Sequence, residues 1–145
     1  MSTLNFAVYQ EEAVKLRDAL LSFVDRMSID RSKLAEEASD MAQFTARLGE
    51  LHYRAFFLSE TVRYYAERAK AQAGDEIRAQ LESSGTKVTE AGIDRQIPLH
   101  HLVVEAMDAK IATSSVFQLA DNLQSAAFQR RSAIESCVKI TGQGA

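Results

Sequence analysis

Residues 41–69 read MAQFTARLGELHYRAFFLSETVRYYAERA. Within them Met41, Phe44, Leu48, Leu51, Ala55, Leu58, Val62, Tyr65 and Ala69 succeed one another at steps of three and four. Such steps keep returning a side chain to one flank of an α-helix, so the apolar residues form a heptad seam. The seam predicts a long helix over 30–73. From Leu34 onward it would extend roughly 60 Å at 1.5 Å per residue. A helix this thin cannot bury its own seam and needs a partner helix, from its own chain or from another copy.

A matching seam stands near the other end of the chain. Leu99, Leu102, Ala106, Ala109, Thr113, Val116, Ala120, Leu123, Ala127, Arg130, Ile134 and Cys137 alternate by three and four without a slip. They predict a second long helix over 99–141. Pro98 opens it, where a missing N–H costs nothing, and Gly142 ends it. The row Ala106, Thr113, Ala120 and Ala127 is small and would let two helix backbones approach closely. Upstream, Ala13, Val14, Leu16, Leu20, Leu21 and Val24 sit near helical spacing and predict a short helix over 9–27. Ser28-Ile29-Asp30 breaks it, and Asp30 or Ser32 can cap the next helix.

Residues 74–98 read as a connection. Ile77 to Leu81 either continues the long helix or forms a short one. Ser83-Ser84-Gly85 is a breaker, and Thr89 with Glu90 can start a short helix through Ile97. The expected fold is therefore all-α: a single domain over 1–145, built as a long antiparallel helical hairpin with a short N-terminal helix. Phe56, Phe57, Val103, Phe117, Leu119 and Val138 lie off the seams. A bare hairpin would leave them wet, so assembly into a helical homo-oligomer is expected.

Composition agrees with this class. The 145 residues are 46% hydrophobic and 26% charged, with one Pro and six Gly, too few turn formers for an all-β fold. One cysteine, Cys137, cannot form an internal disulfide or a multi-cysteine zinc site. With no leader peptide or membrane span visible, a cytoplasmic location is expected, that of the host cell if the gene is a phage's. The net charge of −3 argues against a generic duplex-DNA binder. The charge is uneven, however: residues 46–72 carry five basic and three acidic side chains, and the segments on either side have no basic excess.

Catalytic signatures are missing from the sequence. No glycine-rich phosphate loop occurs, and Glu50-Leu51-His52 has the wrong spacing for a di-iron Glu-x-x-His motif. Adjacent His100 and His101 would point about 100° apart on a helix and rarely share a metal, so they read as a helix-start pair. Cys137, on a seam, reads as a buried structural thiol. Glu105, Asp108 and Asp121 read as solvated charges. We expect no enzyme, no metal and no cofactor.

The basic segment is the one feature with functional content. Arg47, Arg54 and Arg68 are separated by multiples of seven and line one edge of the long helix. Arg63 and Lys70 form a parallel row, and Tyr53, Phe56, Phe57, Tyr64 and Tyr65 are interleaved. Cations for phosphates and aromatic faces for bases are what hold single-stranded nucleic acid. The alternative is structural: the same arginines can pair with Glu50, Glu60 and Glu67, and the aromatics can be core. Arg130 interrupts an apolar seam and forms a basic spot with Arg131. It either meets an acidic partner across an interface or is exposed for a ligand.

Several stretches together carry a resemblance. They are Val62-Arg63-Tyr64-Tyr65 on the long helix, Thr86-Lys87-Val88-Thr89-Glu90-Ala91 in the connection, and Ala127-Phe128-Gln129-Arg130-Arg131-Ser132-Ala133-Ile134 on the last helix. Over roughly residues 40–140 the chain resembles the UvsY-type recombination mediators of bacteriophages. That resemblance implies a small, helical, oligomeric, non-enzymatic protein. It implies binding to single-stranded DNA and help for a RecA-like recombinase in replacing the single-strand-binding protein. Arg47, Arg54, Arg63, Tyr64, Arg68, Lys70, Lys87, Arg130 and Arg131 are the expected nucleic-acid-binding residues. The alternative expectation is an oligomeric helical scaffold or adaptor without nucleic-acid binding.

Overall fold

The computed structural model describes residues 4–143, and among them every regular element is helical. The elements are α1 (Phe6–Leu21), α2 (Leu34–Ser83), α3 (Glu90–Gln96) and α4 (His101–Gln143), with 3₁₀ turns at Asp25–Met27, Arg31–Lys33 and Ile97–Leu99. No helix of the described residues is long and apolar enough to cross a membrane.

The element bounds depart from the sequence reading in three places. Helix α1 stops at Leu21 rather than near Met27. Phe23 and Val24 donate to the carbonyls three residues back, tightening the chain into a 3₁₀ path. That turn buries Phe23 edge-on against Phe44, with ring centroids 5.2 Å apart. Asp30 then caps the Arg31–Lys33 turn by accepting from the Ser32 N–H and hydroxyl. These bonds hold its carboxyl below the usual carboxylate range, the Ser32 hydroxyl contributing most.

Helix α2 runs through Gly74 to Ser83 and does not end near Ala73, so Ile77 to Leu81 continues it, one of the two alternatives read from the sequence. The seam continues through buried Ala73 and Ile77, and that packing outweighs the poor helix propensity of one glycine. The helix stops where Gly85 takes the left-handed conformation, φ 70°. The Thr86 N–H reaches the Leu81 carbonyl and the Gly85 N–H that of Glu82, a Schellman closure.

Pro98 does not open α4. It lies in the Ile97–Leu99 turn, and His100 is the extended residue before the helix. His100 Nδ1 accepts the Leu102 N–H at 3.2 Å, so an imidazole caps α4. Leu99, expected on the seam, is consequently left 79% exposed.

The chain forms two compact units: Met1–Ala13 with Phe57–Ser114, and Val14–Phe56 with Ser115–Ala145. In the first, Phe6 packs with Val62, Ala66, Ala69, Leu102, Ala106 and Ala109. Alanines on both facing helices remove the bulk that would hold the backbones apart. In the second, buried Leu16, Leu20, Phe44, Leu48, Leu51, Val116, Ala120, Leu123 and Ile134 form the core. Contacts between α2 and α4 there pair Glu37 with Arg130, His52 with Asp121 and Phe56 with Phe117. Numbers rise along one helix as they fall along the other.

Candidate nucleic-acid interface

The basic side chains of α2 meet different fates. Arg47 and Arg54 both turn to Glu50, at 2.9 and 3.2 Å. Arg63 lies 3.9 Å from Glu60, and Lys70 lies 3.3 Å from Glu67. Each pair spans three or four residues of one helix, and all of these side chains are about half exposed or more. Pairs of this kind are weak and screened by salt, so a phosphate can compete for the cation.

Arg68 is different. No Asp or Glu lies three or four residues from it on either side; those positions hold Tyr64, Tyr65, Ala71 and Gln72. Its guanidinium lies 6.0 Å from the centre of the Tyr64 ring, and it has no carboxylate partner among the described residues. Tyr64 is 61% exposed. It is not loose, however, because an aromatic ladder backs it. Tyr64 meets Tyr65 edge-on at 5.3 Å, Tyr65 stacks on Tyr9 at 5.9 Å, and Tyr9 leans on buried Phe6 at 6.3 Å. Burial, and then the neighbouring Tyr65, push the Tyr9 phenol above its ordinary range. The ladder joins the core of the first unit to a solvent-facing ring with a cation on it.

The remaining predicted residues separate. Lys87 is exposed after α2, with no ion-pair partner among the described residues. Arg131 is exposed and pairs with Glu135 at 3.1 Å. Arg130 is no surface cation at all: its side chain is 6% exposed. Its Nη2 donates to Glu37, and its guanidinium lies 4.7 Å from the centre of the Phe44 ring, with Arg26 against the same ring at 4.9 Å. Burial, reinforced by repulsion from Arg26, lowers its pKa. Arg130 borders an open cleft of about 460 Å³ lined by Asp25, Asp30, Glu36, Glu37 and Asp40 together with Arg26 and Lys33. Acidic side chains outnumber basic ones there, which disfavours phosphate. Of the two fates read from the sequence for Arg130, the acidic partner is the one seen, and it comes from this same chain.

Two other side chains correct the sequence reading. Asp121 is not an ordinary solvated charge, since His52 Nε2 lies 2.6 Å from its carboxylate and the His52 ring leans on Phe117. Cys137 is half-buried, not fully buried. His100 stacks on His101, and its Nε2 lies 2.7 Å from Glu76. Because Nδ1 accepts from Leu102, the proton sits on Nε2 and is donated to the carboxylate. Among the described residues no three His, Cys, Asp or Glu side chains gather as a metal site.

The sequence reading misses Gln72 and Asp75. They stand beyond Tyr64 and Arg68 along the same face of α2 and, with Leu4, Arg68 and Ala71, line an open cleft of about 260 Å³. The signal that could have found them is the spacing 64, 68, 72, 75. No family model, no curated protein and no solved structure matches the chain.

Proposed function

We propose that this chain is a non-enzymatic, single-stranded-DNA-binding recombination mediator. The observation that carries this reading is Arg68, a cation without a carboxylate among the described residues, lying over the exposed and firmly backed Tyr64 ring. Phosphate would go to the guanidinium and a base to the ring. Arg47, Arg54, Arg63 and Lys70 would add phosphate contacts by exchanging their weak surface carboxylates, and Lys87 and Arg131 would extend the path. Arg130 is withdrawn from this set because it is buried against Glu37 and Phe44.

The antiparallel hairpin belongs to the same proposal, supported by the opposed order of the α2 and α4 contacts. So does self-association, supported by side chains such as Phe128, 71% exposed, and Val104 and Met107, each about half exposed. Repetition of a weak site in an oligomer would raise affinity by avidity. A strand held extended in this way would be a better substrate for a RecA-like recombinase displacing single-strand-binding protein.

One observation favours a second reading, an oligomeric scaffold or adaptor. Arg47 and Arg54 share Glu50 on their own helix, as an inert solvated face would. Labelled oligo-dT, titrated at low and moderate salt against protein of known mass from light scattering, separates the two. The mediator reading expects binding by an oligomer that falls steeply with salt. An oligomer that binds no strand at low salt would establish the scaffold reading instead.

A further inference from the structure

Phe56 and Phe57 are neighbours in different settings. Phe56 leans on Phe117 of α4, with ring centroids 5.6 Å apart, whereas Phe57 is 61% exposed. Helical geometry explains the second. Phe57 precedes buried Val62 by five residues, a rotation of about 140° at 3.6 residues per turn, so it faces away from the core. Unlike a tyrosine, it has no hydroxyl with which to bond water.

Phe57 shares that outer face of α2 with Tyr64. Seven residues bring a helix back to within about 20° of the same direction. The two positions are about 10.5 Å apart along the axis at 1.5 Å per residue. That is about three times the roughly 3.4 Å step of a stacked strand, so one base cannot reach both rings. Two bases of one strand can.

The face around these rings is polar. Glu60 and Thr61 stand between them, and Arg68 stands one turn beyond Tyr64. A partner helix laid here would need apolar side chains at 60 or 61 to continue a seam, so the face does not suit one. Rings set among charges suit a chain that alternates flat bases with phosphates. Glu60, the one acid in 57–64, faces Arg63 at 3.9 Å, and Arg68 beside Tyr64 supplies a phosphate contact.

We infer that Phe57 is a second base-stacking platform, and that a single strand runs along α2 with separate bases on Phe57 and Tyr64. This rests on the single-stranded-DNA reading and adds to it a second ring and a direction for the strand.

The test compares oligo-dT with an abasic strand of equal length, which keeps the phosphates and lacks the bases. Both are titrated at low salt against full-length protein. The chain contains no Trp, so Phe57→Trp places a single indole at the platform. Its emission is quenched by oligo-dT and not by the abasic strand. Phe57→Ala weakens oligo-dT binding about five-fold or more, the loss of one stacked base. The log–log salt slope stays unchanged, because the ring carries no charge. Binding of the abasic strand is also unchanged. Phe57 is exposed, so both variants keep their fold, which circular-dichroism melts verify.

An abasic strand bound as tightly as oligo-dT, an unquenched indole, or full oligo-dT affinity in Phe57→Ala overturns the platform and leaves salt-sensitive binding standing. A fall in the mass of Phe57→Ala by light scattering also overturns it, because the ring then belongs to a contact between copies. No binding of either strand overturns the platform and the mediator reading together.

Discussion

Arg68 and Arg130 are the same side chain in opposite settings. Arg130, in the second unit, is buried, held by Glu37 and packed on Phe44. Arg68, in the first unit, sits over an exposed tyrosine with no carboxylate partner among the described residues. A buried cation must be neutralised within the fold, since desolvation without a partner is costly. An exposed cation has no such requirement and remains available to a ligand. The Arg130 charge in the second unit is therefore committed to structure, and that of Arg68 in the first is not.

Glu37 is where this contrast is most exposed to refutation. Glu37→Ala leaves Arg130 buried and uncompensated, so we expect a loss of about 2–3 kcal/mol in urea unfolding. Arg130→Met, which removes the charge and keeps much of the packing volume, should cost less. A larger loss for Arg130→Met would mean that the cation is itself a net stabiliser.

The complementary change, Arg68→Ala, should move stability by less than about 0.5 kcal/mol. It should weaken oligo-dT binding about three- to ten-fold and make the salt dependence shallower by roughly 0.7 in log–log slope. If Arg68→Ala melts early instead, the Arg68–Tyr64 contact is structural and the contrast with Arg130 collapses.

Glu76 shows that the first unit also has a committed carboxylate. The Gln72 amide, and next to it His100, hold its carboxyl below the usual carboxylate range. A folded-state value below the unfolded one gives stabilisation that is present at neutral pH and lost as pH falls through the folded value. Melting temperatures of wild-type and Glu76→Gln proteins should therefore differ near neutrality and converge below about pH 4. A gap that widens with acid would contradict this assignment of the interaction.

The smallest effect is expected at Glu90. Glu90→Ala removes the Arg78–Glu90 pair and leaves Arg78 with Asp75, whose charge already acts on it from three residues away on α2. Global stability should scarcely change, because the pair is exposed. A loss of more than about 1 kcal/mol in urea unfolding would show that the pair is worth more than an exposed ion pair.

Much of this molecule is legible along the chain. On the α2 seam, Phe44, Leu48, Leu51, Ala55, Val62 and Ala69 are all buried, and helical periodicity alone points to them. Met41, Leu58 and Tyr65 are only half-buried, because a period says which flank a residue takes and not how closely a neighbour covers it. The freedom of Arg68 is legible as well, since a helix brings only residues three and four apart together and no acid stands at those positions. The ends of the helices are not. Gly74 and Pro98 are strong local signals, yet Ile77 packing carries α2 past the first, and the ring of His100, not Pro98, caps α4.

The all-helical class, the two seams and the cation left without a helical partner are properties of the chain alone, because each arises from spacing within one helix. Packing decides the rest. Arg130 lies 93 residues from Glu37, and Arg78 reaches Glu90 on another helix. Such partnerships join residues that no local period relates, so they exist only once the helices have packed.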